Sequence, residues 1–311
     1  VGTPLEETAR VLREISAEIV QVPEVRDYQA YAGTAAPINF NGLVRQYYLR
    51  AYPEMGDIQV NLVDKKHRDR QSHEIAVGVR DQVMAVARRS GGNAKVVEVP
   101  PGPPVLSPIV AEVYGPGMAE QVRAAFEATP DILGVDDTID EDAGKVVLRV
   151  NQAKAALLGV AQADVVATVR MGLTGEDVTP VHGGDAKYEI PVRITLPAER
   201  QSGLDQLLKL KVRGREGNLV PISEVVEIKP TLREKVLYHK DLLPVVYVTG
   251  DMGGRLDSPL YGMFDIRARL PEGLGELFIK QPKDPYAGYA IKWDGEWQVT
   301  YETFRDMGAA Y

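Results

Sequence analysis

Cysteine is absent from the 311-residue sequence, which excludes disulfides, thiolate metal sites and a cysteine nucleophile together. That absence suits an oxidising compartment and the cytosol equally, so it fixes no location. Histidine is scarce: His67, His73, His182 and His239 are the only four, and no two form an i, i+4 helical pair or stand beside a carboxylate set, so no zinc site is expected. No run approaches the roughly 20 consecutive apolar residues that cross a bilayer, so the chain as it stands reads as soluble. Basic charge is not in excess either. Lys and Arg total 36 against 44 Asp and Glu, a formal charge of −8 without a basic stripe, and such a field repels phosphate backbones; no nucleic-acid partner is expected.

The common catalytic and ligand motifs are also missing. Asp136-Asp137-Thr138-Ile139-Asp140-Glu141-Asp142 lacks the glycine at position six and the glutamate at twelve of a calcium loop, and reads as a solvated hairpin. Gly115-Pro116-Gly117 lacks the third glycine and the lysine of a phosphate loop, so it reads as a turn. Spacing suggests no serine, histidine and acid arrangement. Neither an enzyme nor a cofactor is called for. What is present is globular: 44% hydrophobic and 26% charged residues, over a length that suggests two or three compact units.

Thr3-Pro4-Leu5-Glu6 carries the cap signals of a helix whose apolar residues Leu5, Leu12, Ile15 and Ile19 follow at helical spacing, stopping before Pro23. Strands are expected at 26–32, 44–52 and 57–64, with the irregular stretch 33–42 after the first. A second helix, capped at Ser72, places Ile75, Val79, Val83 and Val86 on one face and ends at Gly91-Gly92. A strand at 95–99 leads to Pro100-Pro-Gly-Pro-Pro104, which enters no regular ladder and marks a boundary. Strand 109–114, helix 118–128 and strand 133–139 repeat the order of the first unit. Strands at 233–239 and 245–249, helix 259–270 and strand 289–293 complete a strand, helix, strand, strand, helix, strand series. Between them lies an insertion over 141–224, with strands at 145–150, 188–195, 210–213 and 219–222 and short helices. Alternation through Tyr188, Ile190, Val192 and Ile194 predicts one buried and one wet face there. The fold class expected is α+β: two ferredoxin-like split βαβ subdomains, the first without its opening strand, with an α+β lobe inserted in the second.

Several strings, in this order and spacing, resemble the second large periplasmic loop, between membrane helices seven and eight, of the resistance-nodulation-division (RND) efflux pumps of the hydrophobe and amphiphile exporter kind. They are Gly2-Thr-Pro-Leu-Glu-Glu-Thr8, Tyr31-Ala-Gly-Thr-Ala-Ala36, Gly102-Pro-Pro-Val-Leu-Ser-Pro108 into Val110-Ala-Glu-Val-Tyr-Gly115, Leu158-Gly-Val-Ala-Gln-Ala-Asp-Val165, Leu219-Val-Pro-Ile-Ser-Glu-Val225 and Ile291-Lys-Trp-Asp-Gly-Glu-Trp-Gln298. The resemblance implies a first porter subdomain at 1–100, a second at 101–140 with 225–297, a docking subdomain at 141–224 and a lead-in to a membrane helix at 298–311. It also implies a proton-driven homotrimeric parent on the periplasmic side of the inner membrane, working with a periplasmic adaptor and an outer-membrane channel. The proton-coupling carboxylates and lysine would lie in the membrane helices. The absence of an initial methionine and the apolar ending at Tyr311 read as those of an excised piece.

The resemblance assigns a substrate pocket and switch loop to Tyr28, Ala30, Tyr31, Gly33, Asn39, Phe40 and Gln59. It assigns a cleft mouth to Val97 and Val99, and a docking turn to Gly175, Gly183 and Gly184. Aromatic side chains suit amphiphilic guests because they offer apolar area with few polar demands. Tyrosine in place of phenylalanine implies a more polar or narrower pocket. Three alternatives stand beside this reading: a free periplasmic ligand-binding or adaptor protein, an enzyme of ferredoxin-like fold, and an RND exporter of metal ions, which would need methionine or acidic ligands in the cleft.

Overall fold

The computed structural model describes residues 2–39, 42–43, 49–98, 105–183, 187–201, 203–253 and 258–311. They form two compact units: residues 1–142 with 234–311, and the inserted residues 143–233.

The outer unit begins with α1 (Leu5–Ile19), preceded by Pro4 at the cap. It continues with β1 (Val25–Ala32), β2 (Gly56–Leu62) and α2 (Ser72–Arg89), whose capping box is made by Gln71 and Glu74, with Ser72 as the first helical residue. Ile15 and Ile19 of α1 pack on Val83, Val86 and Ala87 of α2, and Val25, Ile58 and Val60 of the β1–β2 pair close the cluster. That pair is antiparallel and two-stranded among the described residues. The strand expected at 95–99 does not form over its described part: Lys95 reaches Asp136 at 2.6 Å and Glu98 pairs with His73 at 2.8 Å, so side-chain contacts hold this segment in place of a ladder. Positions 44–48 of the expected strand at 44–52, Val99 and the proline block lie outside the described residues.

The chain then lays down β3 (Ile109–Tyr114), α3 (Ala119–Glu127) and β4 (Ile132–Asp137) before entering the inserted unit. There β5 (Gly144–Val150), α4 (Gln152–Leu157), α5 (Gln162–Thr174), β6 (Glu176–Pro180), β7 (Pro191–Ile194), α6 (Ala198–Gln201), α7 (Leu204–Leu208), β8 (Lys211–Arg213), β9 (Leu219–Pro221) and β10 (Val226–Leu232) follow. Ala155, Val160, Val165, Val212, Val220, Ile222 and Val225 make its core. The insertion runs past 224 because β10 pairs along the whole of β5, and the Arg233 amide donates to the Ala143 carbonyl at 2.8 Å. The alternation at 188–195 is not expressed as burial. Only Pro191–Ile194 is strand, paired on one side with β6, and Tyr188, Ile190, Val192 and Ile194 are all exposed because the hairpin stands clear of the unit's core.

The outer unit resumes with the short pair β11 (His239–Lys240) and β12 (Leu243–Pro244), then β13 (Val246–Met252), α8 (Pro259–Arg267), β14 (Gly275–Leu277), β15 (Ala290–Gly295) and α9 (Glu296–Ala310). The strand expected at 233–239 shrinks to that two-residue pair, since the chain turns back at Asp241 and Leu242, both at positive φ. The sheet has the order β14-β15-β3-β13-β4, with β13 antiparallel to both β3 and β4 and β15 antiparallel to β3. Thus β3 and β4 run parallel with β13 between them, the split βαβ arrangement. Its helix-covered face carries Ile109, Ala111, Val113, Val248, Ile291 and Trp293, packed on Val122, Phe126, Met263 and Ile266. Gly262 lets α8 lie close on this face, because a β-carbon there would stand 2.5 Å from Met252 Sδ and 2.8 Å from Ile109 Cδ1. No described helix is long and apolar enough to cross a membrane.

Candidate functional site

Alternation sends Glu112 and Tyr114 of β3, Tyr247, Thr249 and Asp251 of β13, and Lys292 and Asp294 of β15 to the sheet face opposite the helices. This second face is polar, and it builds two things: a charge network over β3 and β15, and a cavity over β4 and β13.

In the network Glu112 and Lys292 are both buried, at 0% and 3% exposure. Lys292 Nζ lies 3.1 Å from Glu112 Oε1 and donates to Gln298 Oε1 at 2.7 Å. Lys240 Nζ, brought in by the β11–β12 turn, donates to the same Glu112 oxygen at 2.5 Å and to Asp294 at 2.6 Å, while the Tyr114 hydroxyl donates to the other Glu112 oxygen at 2.7 Å. Burial pushes the Glu112 carboxyl above its ordinary range, with Asp294 adding to the rise and Lys240 and Tyr114 opposing it. Burial also works against the charged form of Asp294, but hydrogen bonds from Glu112 and Lys240 outweigh it and hold that carboxyl down at about 2. The arrangement therefore stores a charged Asp294 beside a carboxyl that resists ionisation, both clamped by lysines.

The cavity, of about 140 Å³, is walled by Arg80 and Met84 of α2, Ala94, Lys95, Val96 and Val97 after it, Arg50, Leu106 and Ser107, Gly134, Asp136, Asp137 and Thr138 in and after β4, and Thr249 and Asp251 of β13. Both halves of the outer unit thus contribute to it. Most of its charges are matched: Lys95 with Asp136, Arg50 with Asp57 at 2.9 Å, and Asp137 with Arg123 at 3.0 Å. Ser107 donates to the Gly250 carbonyl at 2.9 Å, tying the segment before β3 to β13 at the cavity wall.

The residues expected to bind substrate are not all in one place. Val97 lines the cavity; Val99 lies outside the described residues. Tyr28 pairs opposite Val60 and Ala30 opposite Ile58, on the face of the β1–β2 pair that meets the helices, whereas Tyr31 opposite Asp57 and Gln59 opposite Gln29 are on the other face. The Tyr31 hydroxyl donates to Gln29 at 2.7 Å on that polar face. These four do not share a wall. Gly33, at φ +67°, begins the loop after β1, where a β-carbon would stand 2.6 Å from Leu5 Cδ1, and its amide donates to the Met55 carbonyl at 2.8 Å. The loop is anchored through Asp57, which accepts from the Ala36 amide at 3.1 Å and from Arg50, the residue that also reaches the cavity. Asn39 turns the loop by accepting from the Gly42 amide at 2.7 Å, and Phe40 lies outside the described residues. In the inserted unit Gly175 ends α5 at φ +78° against the Arg193 side chain, Gly183 sits in open space at φ +131° after β6, and Gly184 is outside the described residues.

Sequence reasoning missed Arg80, Met84, Lys95, Asp136, Thr249 and Asp251. Arg80 left one visible signal, a cation on the stripe Ala76, Arg80, Val83, Ala87, all four buried. Among the described residues no group of three His, Asp or Glu side chains is placed to hold a metal ion.

No curated protein matches the sequence. Two crystal forms of a heavy metal efflux pump share the fold: one at TM-score 0.67 and 18% identity over 99% of this chain and 31% of the pump, the other at 0.65 and 19% over 99% and 30%. The chain spans about a third of the length of those pumps. The sequence model of the AcrB/AcrD/AcrF family matches residues 1–259, and the chain belongs to that family of RND efflux transporters.

Proposed function

We propose that this chain is the periplasmic substrate-binding and docking portion of a proton-driven RND pump that exports amphiphilic or hydrophobic compounds. In this reading the outer unit supplies the porter subdomains and the inserted unit the docking subdomain. The parent is a homotrimer joined to a periplasmic adaptor and an outer-membrane channel, and carries membrane helices that hold its proton-coupling residues. The observation that carries the reading is the cavity: Met84, Val96, Val97 and Leu106 face polar groups of β4 and β13 across a space open to small amphiphiles. Family membership supports transport over catalysis.

Calorimetric titration with a panel of short-chain amphiphiles tests it. Binding is expected to the native chain and not to Val97→Trp, whose indole fills the cavity. Equal binding by both would place the ligand elsewhere.

A metal-ion cargo is the second reading, favoured by the description of the two solved pumps and by the soft thioether of Met84 at the cavity. Titration with Ag(I), before and after Met84→Leu, decides between them: saturable binding lost in the variant supports the metal reading.

A further inference from the structure

Arg80 is the cation of the cavity wall that no carboxylate engages among the described residues. It is 7% exposed, and its Nη1 is fully buried with no hydrogen-bond partner. Leaving a guanidinium this deep without a carboxylate carries a desolvation penalty that folded proteins avoid unless something else supplies the acceptor. The side chain is also held in position. A β-carbon on Gly253 would stand 2.8 Å from Arg80 Nη1, so only the bare backbone at the end of β13 admits the guanidinium. The neighbouring cations do not share its situation, because Lys95 is engaged by Asp136 and Arg50 by Asp57. Of the acids, Asp136 and Asp137 are likewise matched, and Asp251, which accepts from the Met252 amide at 2.9 Å, makes no ion pair with Arg80.

Resting on the proposed function above, we infer that the cavity selects amphiphiles bearing an anionic head group, with Arg80 supplying the counter-charge and Met84, Val96, Val97 and Leu106 receiving the chain. A carboxylate matches the fork of the guanidinium and would supply the acceptor that the cavity wall does not, the stronger for being out of water. The apolar tail fits the opposite wall without asking for further polar partners. A neutral head group would leave Arg80 desolvated and unpaired, and a cationic one would meet it as a like charge. Discrimination therefore comes from the unmet need of the site as much as from attraction.

The test uses octanoate, 1-octanol and octylammonium, which share one chain and differ in head group, titrated calorimetrically into the 311-residue protein and its Arg80→Met and Arg80→Lys variants at fixed ionic strength. Octanoate is expected to bind most tightly. Arg80→Met should weaken it about tenfold or more, the loss of a charge-assisted hydrogen bond, and should tighten octanol binding, because the variant no longer leaves a guanidinium unpaired beside the neutral head group. Arg80→Lys should retain part of the preference. Because no carboxylate engages Arg80 among the described residues, Arg80→Met is expected to melt no lower than the native protein. A clear fall in Tm would reveal an internal ion pair and overturn the inference. Equal affinity for octanoate and octanol, an Arg80→Met variant that keeps full octanoate binding, or tightest binding of octylammonium would each overturn it while leaving the cavity as an amphiphile site. Failure of all three compounds to bind would overturn the site reading as well.

Discussion

Glu112 and Lys292 show what a single buried charge demands. Removing one member of such a pair costs about 3–5 kcal/mol where it strands the other out of water, and the lower end of that range applies here because Lys240 and Tyr114 still bond Glu112. Lys292→Met is expected to lower stability by that order in urea titrations, and Lys292→Met with Glu112→Gln to recover much of it. Asp294 sets the acid limb. Its carboxyl is ordinary when unfolded and held at about 2 when folded. The charged form therefore stabilises the fold above the unfolded pKa, and that contribution is lost as pH falls from about 4 to about 2. The expected loss is on the order of 2 kcal/mol. Glu112, raised by burial, acts in the opposite sense and adds stability only while it is protonated. Tm followed from pH 5 to pH 2 should fall less for Asp294→Asn than for the native protein, and parallel curves would remove Asp294 from the network. Some of this could be read beforehand. Glu112 is the lone carboxylate in Ile109-Val-Ala-Glu-Val-Tyr114, as Arg80 is the lone cation on its helix stripe, and each departs from its pattern. Their surroundings were not legible, because Lys240 and Lys292 lie 128 and 180 residues from Glu112 and only the sheet brings them there.

Elements were legible in proportion to how much of their stability is written locally. Both long helices of the first half and strands β1, β3, β13 and β15 follow periodicity and punctuation, and fall near where the sequence places them. The segment at 95–99 looks like a strand but has no ladder in its described residues, and that at 233–239 keeps only His239 in one: Glu98 and Lys95 are taken by His73 and Asp136, and β11 is cut short by the turn at Asp241. Conversely β10 was not expected; it carries Pro230, a residue tolerated on a ladder that is two-stranded among the described residues. The expected pocket residues divide between two faces for an elementary reason: strand neighbours face opposite ways, so Ala30 and Tyr31 do not share a wall. Close packing supplies the prediction at this scale. A leucine at Gly262 would have to force α8 off the sheet at Met252 and Ile109, and Gly262→Leu should cost at least about 1–3 kcal/mol in denaturant unfolding despite the better helix propensity of leucine. A neutral result would mean that α8 can rise without disturbing the core.

At the scale of the molecule, one unit is threaded into another. The ends of the inserted unit are adjacent, since β5 and β10 are paired along their length and Arg233 bonds to Ala143. Replacing residues 143–233 by a short glycine-serine link should therefore leave the outer unit a cooperatively unfolding body with its cavity, as circular dichroism and octanoate titration would report; loss of cooperativity would show that the insertion props up its host. The nesting also orders events during synthesis. When β3 and β4 leave the ribosome they have no bond to each other, because the strand that belongs between them, β13, is encoded beyond the entire insertion. The guest lobe can finish folding while its host is still a pair of open edges awaiting their centrepiece, a long-range closure that slows folding and leaves unfinished strands exposed to misassembly in the meantime.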